Sequence, residues 1–186
     1  MNYKGKVKNK DSLIEMGLGF TDKDFGAYKF YSDVFPDQRE RTSTFLTYLN
    51  AGFKAGGVEI RPKIFWRHHE DDYKIQINGP WFYNNHKNDS YGFQLGSGFD
   101  SSLGKTAFGC EIGLEDITSS NLGDHSRGRS GLFLEHKFFP DSRAAFGLGA
   151  SLMKYDEWGW EYWPGADVNI SLTRGLSFFE IGRAHV

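Results

Sequence analysis

The chain has 186 residues, with 22 Lys and Arg against 24 Asp and Glu, and its net charge of -2 gives no electrostatic reason to expect nucleic acid. Mean hydropathy is -0.54, with no apolar run long enough for a spanning helix, and the single Cys110 excludes an internal disulfide or a cysteine metal cluster. Aromatic content of 17% and 23 glycines are both high, as strands, tight turns and bare inner walls would require.

Met1 leads into Asn2-Tyr3-Lys4-Gly5-Lys6-Val7-Lys8, which has no apolar signal-peptide core; for an exported protein this implies that Met1 is not the true start. The same stretch, Asn2 to Lys8, reads as a first strand, with Tyr3 and Val7 opposite Lys4, Lys6 and Lys8. Asn9-Lys10-Asp11 turns into Ser12 to Phe20, where Ile14, Met16, Leu18 and Phe20 share a face opposite Glu15, Gly17 and Gly19. A long loop, Thr21 to Thr42, is predicted next. Ser43 to Phe53 then sets Phe45, Leu49, Ala51 and Phe53 against Tyr48, Asn50 and Gly52, and Lys54-Ala55-Gly56 reads as a tight turn.

The fourth strand, Gly57 to His68, carries Val58, Ile60, Pro62, Ile64 and Trp66 opposite Glu59, Arg61, Lys63 and Arg67. Pro62 lacks a ladder donor, so an irregularity is expected there. A second long loop, about His69 to Asp89, holds Tyr73, Ile75, Ile77 and Trp81-Phe82-Tyr83. Ser90 to Asp100 alternates Tyr91, Phe93, Leu95 and Phe99 with Gly92, Gln94, Gly96 and Gly98; after a turn at Ser101 to Gly104, Lys105 to Glu115 sets Phe108, Cys110, Ile112 and Leu114 against Gly109, Glu111, Gly113 and Glu115. A polar third loop, about Asp116 to Gly128, precedes Arg129 to Phe138, the least regular strand. Pro140-Asp141-Ser142 turns into Ala144 to Leu152, where Ala144, Phe146, Leu148, Ala150 and Leu152 alternate with Ala145, Gly147, Gly149 and Ser151. Past a Trp158-Gly159-Trp160 loop, Tyr162 to Leu172 repeats the pattern, with Asp167 and Asn169 on the polar side, and Arg174-Gly175 turns into an incomplete tenth strand.

No segment has a helical period, so the fold class is all-β, an antiparallel up-and-down meander of about ten strands. A soluble sandwich also alternates. Long and short connections in rotation, strands of about ten residues, and a polar face of glycines and charges favour a partial transmembrane β-barrel. An open edge cannot face lipid, because each unpaired backbone group there costs several kcal/mol. Further strands of a larger parent barrel are therefore expected.

Six short stretches carry a resemblance. Phe25-Gly26-Ala27 with Phe30-Tyr31 and Phe35-Pro36-Asp37-Gln38 comes first, then Pro62-Lys63-Ile64-Phe65-Trp66-Arg67-His68, then Gly104-Lys105-Thr106-Ala107-Phe108-Gly109 with Glu111. Ser119-Ser120-Asn121-Leu122-Gly123, Phe133-Leu134-Glu135-His136, and Trp158-Gly159-Trp160 before Tyr162-Trp163-Pro164-Gly165-Ala166-Asp167 complete the set. In order and spacing, from about Tyr3 to Phe179, these resemble TonB-dependent outer-membrane receptors, in the branch similar to vitamin B12 and siderophore receptors. The resemblance implies a barrel of about 22 strands filled by an N-terminal plug. It implies active uptake of a large nutrient, a corrinoid or an iron chelate, energised through the plug by the inner-membrane TonB complex, in the outer membrane of a Gram-negative-type bacterium. The chain departs from the pattern in having no plug and no TonB-contacting segment. The plug and the remaining strands are thus expected partners, alongside lipid and the small-molecule nutrient; by itself this piece is expected to transport nothing. Glu180 to Val186 resembles one frame of a sequencing adapter, so the expected division is 1–179 as partial barrel and 180–186 as artefact.

Chemistry-bearing clusters read as structural. His68-His69-Glu70-Asp71-Asp72 matches no zinc or EF-hand spacing, and alternation would send neighbours to opposite faces. Ser102-Leu103-Gly104-Lys105 falls in a hairpin turn rather than opening a helix. Glu111 and Glu115 share a face, where ion pairs with Arg61, Lys63, Arg67 and Lys137 explain them without catalysis. No enzyme activity, cofactor or metal is expected. Glu59, Arg61, Lys63, Glu111, Glu115, Asp167 and Asn169 are expected to face the lumen. Trp81, Phe82, Tyr83, Trp158 and Trp160, placed in outer loops, are the candidate ligand contacts, with an aromatic girdle at headgroup level as the alternative. Two rival functions remain: another outer-membrane barrel (a porin-like channel or a barrel enzyme), or a secreted glycan-binding β-sandwich.

Overall fold

The computed structural model describes residues 1–8, 12–140, 142–173 and 175–183. The turn expected at Asn9-Lys10-Asp11, the centre of the Pro140-Asp141-Ser142 turn, Arg174 and residues 184–186 lie outside these. Ten strands follow in order: β1 (Asn2–Lys8), β2 (Ser12–Gly26), β3 (Gln38–Ala55), β4 (Val58–Gln76), β5 (Trp81–Ser101), β6 (Gly104–Ser119), β7 (Gly123–Phe138), β8 (Ala144–Tyr155), β9 (Gly159–Thr173) and β10 (Leu176–Arg183). They form one antiparallel sheet in sequence order. The fold is all-β, an up-and-down meander, and the sheet is not closed: β1 pairs only with β2, and β10 only with β9.

Directly paired residues share a sheet face, so the registers assemble the alternating patterns into two continuous surfaces. Met16 lies opposite Leu49, Leu49 opposite Ile64, Ile64 opposite Phe93 and Phe93 opposite Ile112. Further along, Cys110 meets Leu132, Leu132 meets Leu152, and Leu152 meets Tyr162. This apolar face is not covered. Ile14, Ile64, Ile112, Leu132 and Leu148 are each half or more exposed, and the one buried apolar residue among those described is Ala27. Each strand touches only its sequence neighbours. A sandwich would bury this face under a second layer of the same chain, and no such layer exists among the described residues.

The opposite face is polar and concave: two depressions, of about 810 and 400 Å³, open on it. Several of its glycines sit under a large side chain of the directly paired residue. The ring of Tyr48 covers Gly17, Phe65 covers Gly92, and Phe133 covers Gly109. Gly113 lies under Arg129, Gly131 under Met153 and Gly147 under Asp167. A Cβ at these sites would collide with the overlying group, so the glycines let bulky chains lie flat on this face.

The strands are longer than their alternation suggests. β2 to β7 run 15 to 21 residues rather than about ten. The loop expected over Thr21–Thr42 contracts to residues 27–37, that over His69–Asp89 to residues 77–80, and that over Asp116–Gly128 to residues 120–122. The reason is physical. Beyond the apolar band both faces are wet, so the two-residue hydropathy pattern fades, while the backbone ladder continues to pair. Asn78 and Gly79, both with positive φ, form the β4–β5 reversal. The turn expected at Lys54-Ala55-Gly56 sits one residue later, at Gly56 and Gly57, with φ of 56° and 85°. At Pro62 the β3–β4 pairing is interrupted across Ala51–Gly52 and Arg61–Pro62, and it resumes in the same register. β10 continues to Arg183 against Gly165, as backbone pairing allows whatever the side chains.

Candidate functional site

Two regions carry the polar chemistry: the concave face, and the outer end of the sheet where the strands outrun the apolar band. On β4 that band runs from Val58 to Trp66, eight residue steps, or about 26 Å at ~3.3 Å per residue. Phe45–Phe53 on β3 and Tyr91–Phe99 on β5 span the same length. At its outer border Trp66 stacks on Tyr91 with centroids 6.3 Å apart and tilts against Phe45 at 5.4 Å. Past these rings the same face turns charged. Trp66 Nε1 donates to Asp89 at 2.8 Å, His68 lies 2.9 Å from Asp89, Lys87 pairs with Glu70 at 3.0 Å, and Arg41 grips Asp22 at 2.9 Å.

All seven expected lumen residues share the concave face. Glu59 and Arg61 pair at 2.6 Å, while Lys63 reaches over the Phe65 ring at 5.6 Å. Asp167 accepts from Lys137 at 3.1 Å, and Asn169 sits one step along the same face, opposite Ala145 and Phe179. The partners expected for Glu111 and Glu115 are corrected. The β6–β7 register puts Arg127 directly opposite Glu115, with which it pairs, and Arg129 opposite Gly113, between the two carboxylates. Arg129 thus reaches Glu111 at 3.7 Å and Glu115 at 3.6 Å, and Gln94 Nε2 meets Glu111 at 3.4 Å. Arg61, Lys63, Arg67 and Lys137 stand on strands or at registers that give these glutamates no direct partner. In the pentad 68–72, His68 and Glu70 lie on the outer face, whereas His69 faces inward, where its Nδ1 is 2.8 Å from the Thr44 hydroxyl.

The five candidate aromatics are not gathered into one site. Trp81, Phe82 and Tyr83 open β5 rather than occupying a loop, and Trp160 lies in β9, because the ladders reach further out than expected; only Trp158 stays in a turn. Phe82 points to the concave face, as its pairing with Ile75 requires, whereas Trp81 and Tyr83 point outward with Gln76 and Lys74. Lys74 caps the Tyr83 ring at 5.3 Å, Lys154 the Trp160 ring at 6.0 Å, and Arg127 the Trp158 ring at 5.4 Å. β5 and β9 are four strands apart, roughly 19 Å at ~4.8 Å per strand. These rings therefore decorate a rim.

The loop at residues 27–37 lies within the one expected over Thr21–Thr42, but the hydropathy pattern does not single out what organises it. Gln38, 3% exposed, organises it: its Nε2 donates to the carbonyls of Ser32 and Phe35 at 3.1 and 2.7 Å, and its Oε1 accepts from the Tyr31 amide at 3.0 Å. Tyr31 packs edge-on against Tyr73 of the concave face at 5.0 Å and donates to Glu40 at 3.0 Å, folding the loop over that face. Burial first, and then the Glu40 carboxylate, push the Tyr31 phenol above its ordinary range. The sequence signal was present in Phe35-Pro36-Asp37-Gln38, though nothing in its spacing shows that a glutamine would be the hub.

No family model matches the sequence, and no curated protein matches it. Among solved structures, the chain is similar to the crystal structure of the β domain of the Bordetella autotransporter Brka. Identity is 14% over 99% of this chain and 82% of that one, with a TM-score of 0.43. A likeness of that degree carries no assignment of function to this chain.

Proposed function

We propose that the chain forms part of the wall of an outer-membrane β-barrel, its apolar face meeting acyl chains and its concave polar face lining the lumen. The observation that carries this is the uncovered band of Ile, Leu and Phe side chains, one constant height across neighbouring strands, bordered by Trp66 and Tyr91 and then by ion pairs. Its length of about 26 Å along a strand, inclined at about 40°, gives roughly 20 Å of apolar height, near the ~25 Å of such barrels. In water, an apolar patch of that extent would be an association surface. The unpaired edges of β1 and β10 require further strands in a bilayer, since orphaned backbone groups are costly in hydrocarbon. The direct test is partition. Chain refolded with and without detergent should enter micelles as sheet; a monomer that folds cooperatively in buffer alone overturns the reading.

Within that class we favour a TonB-dependent receptor that takes up a large nutrient such as a corrinoid or an iron chelate. What supports this is the ordered set of short resemblances from Phe25 to Asp167 together with a concave face of small and charged residues that leaves room for a filling domain. On this reading the chain is not an enzyme, and its partners are lipid, the plug, the remaining strands, the nutrient and, through the plug, the inner-membrane TonB complex. Sequencing the gene upstream of Met1 tests it: an encoded plug domain supports uptake, whereas an export signal followed directly by Asn2 supports a porin-like channel or barrel enzyme instead.

A further inference from the structure

We propose that the larger depression of the concave face is a docking site for an acidic segment of polypeptide. The inference rests on the barrel reading, in which this face is enclosed, and adds the chemistry of what lies against it. The depression, about 810 Å³, sits toward the end of the sheet that carries the tight Gly56–Gly57 turn. Its walls carry more cations than carboxylates: Lys8, Lys54, Arg61 and Lys63 against Glu59 and Glu111. Both carboxylates are already engaged, Glu59 by Arg61 and Glu111 by Arg129 and Gln94. Glu59 stands opposite Lys54 in the register but its ion pair is with Arg61, and among the described residues no carboxylate forms an ion pair with Lys54 or Lys63. An excess of positive charge on a curved wall attracts anions from outside the sheet.

Two further observations distinguish a polypeptide from a simple anion. The floor contains the interruption in the β3–β4 ladder, where Ala51–Gly52 and Arg61–Pro62 are not paired with one another, and Asn50 Oδ1 is buried there with no hydrogen-bond donor. That acceptor calls for an N–H donor, which a simple inorganic anion does not supply. The floor glycines are also bare. Gly17, Gly92 and Gly109 lie under rings, but the nearest atom to a Cβ at Gly52 is 4.0 Å away, and at Gly96 it is 3.9 Å away. Backbone can therefore approach the wall closely at this place. A segment bearing Asp or Glu offers both carboxylates for the lysines and an amide N–H group for Asn50.

The test uses the whole chain refolded in zwitterionic micelles, with sheet content checked by circular dichroism, and fluorescent peptides of Glu-Gly or Lys-Gly repeats followed by anisotropy. The Glu peptide should bind, weaken as salt rises, and bind about tenfold less well to the Lys54→Gln, Lys63→Gln double variant. A Lys54→Arg, Lys63→Arg variant should restore it, Lys154→Gln should leave it unchanged, and Asn50→Leu should weaken it without altering its salt dependence. Equal binding of the two peptides, or indifference to the double variant, overturns the proposal. So does displacement by free glutamate or inorganic phosphate at the peptide's own concentration, which would make the site one for small anions, and so does tighter binding of a single-stranded oligonucleotide. Failure with micelle insertion intact removes the docking site alone. A chain that binds the Glu peptide but stays in the aqueous phase keeps the site and removes the barrel.

Discussion

Leu148→Arg and Gly149→Arg place the same side chain on adjacent residues of β8 and on opposite faces of the sheet, which isolates the environment from the residue. Leu148 is 59% exposed on the apolar face, between His136 of β7 and Ala166 of β9. It stands four residues from Ala144 and four from Leu152, the ends of the apolar alternation on that strand, and so at its midpoint. An arginine at mid-bilayer costs about 2–4 kcal/mol, falling to about 0–1 near the interfaces. At ~1.4 kcal/mol per decade, that is roughly a 30- to 700-fold shift in the folding equilibrium. Gly149 faces the smaller depression, and a Cβ there would lie 3.1 Å from the Leu134 carbonyl and 3.4 Å from Glu135. Its arginine meets local crowding of about 1 kcal/mol or more, but it gains water and the Glu135 carboxylate. Urea titration of the intact parent barrel inserted in vesicles, followed by heat-modifiable gel mobility, measures both. The Leu148 penalty should shrink on moving the arginine to Leu152, beside Tyr162 at the outer border, and should depend on bilayer thickness; the Gly149 penalty should not. A depth-independent cost, or equal thickness dependence for the two residues, refutes the facing assigned to every strand.

Gly109→Ala should destabilise the sheet by about 1–3 kcal/mol, because the new methyl meets the Leu95 carbonyl and the Phe133 ring, whereas Gly52→Ala, with open space above it, should change stability by about 0.5 kcal/mol or less in the same titration. Gln38→Leu removes three hydrogen bonds at the loop hub, worth about 1 kcal/mol each, and should be read as faster amide exchange at residues 27–37 with β3 to β6 unaffected. The Tyr31 phenol is raised above 10.0, so its neutral form is the one the folded loop favours. Its contribution is complete below that ordinary value and is lost as pH climbs through the raised one. Burial and Glu40 raise the Tyr73 phenol as well, so phenolate absorbance should show two late-titrating tyrosines, of which Tyr31→Phe removes one, and Glu40→Gln should bring both earlier.

What could be read without coordinates depended on where water is absent from one side. Within the apolar band, Ile14 to Phe20, Val58 to Trp66 and Ala144 to Leu152 could each be assigned to a face, because alternation is the direct record of one dry and one wet surface. Outside the band that record fades. Glu70, Asp72, Asn85 and Lys87 resemble loop residues, though β4 and β5 still pair through them. Asn78-Gly79, a strong hairpin signal, was the available clue that the reversal is only four residues long. Trp81 to Tyr83 were consequently misplaced in a loop, and so was Trp160.

The sequence by itself determined the all-β class, the facing of each strand within the band and the polar character of one surface, since these follow from side chains two residues apart on one strand. The tertiary structure decided everything that depends on which residues of different strands meet: Arg129 bridging Glu111 and Glu115, the Tyr48 and Phe65 rings lying on Gly17 and Gly92, and the loop at residues 27–37 folded by Tyr31 onto Tyr73. Register is a sum over two distant positions, and no local pattern contains it. A shift of two residues would preserve every face and exchange every partner.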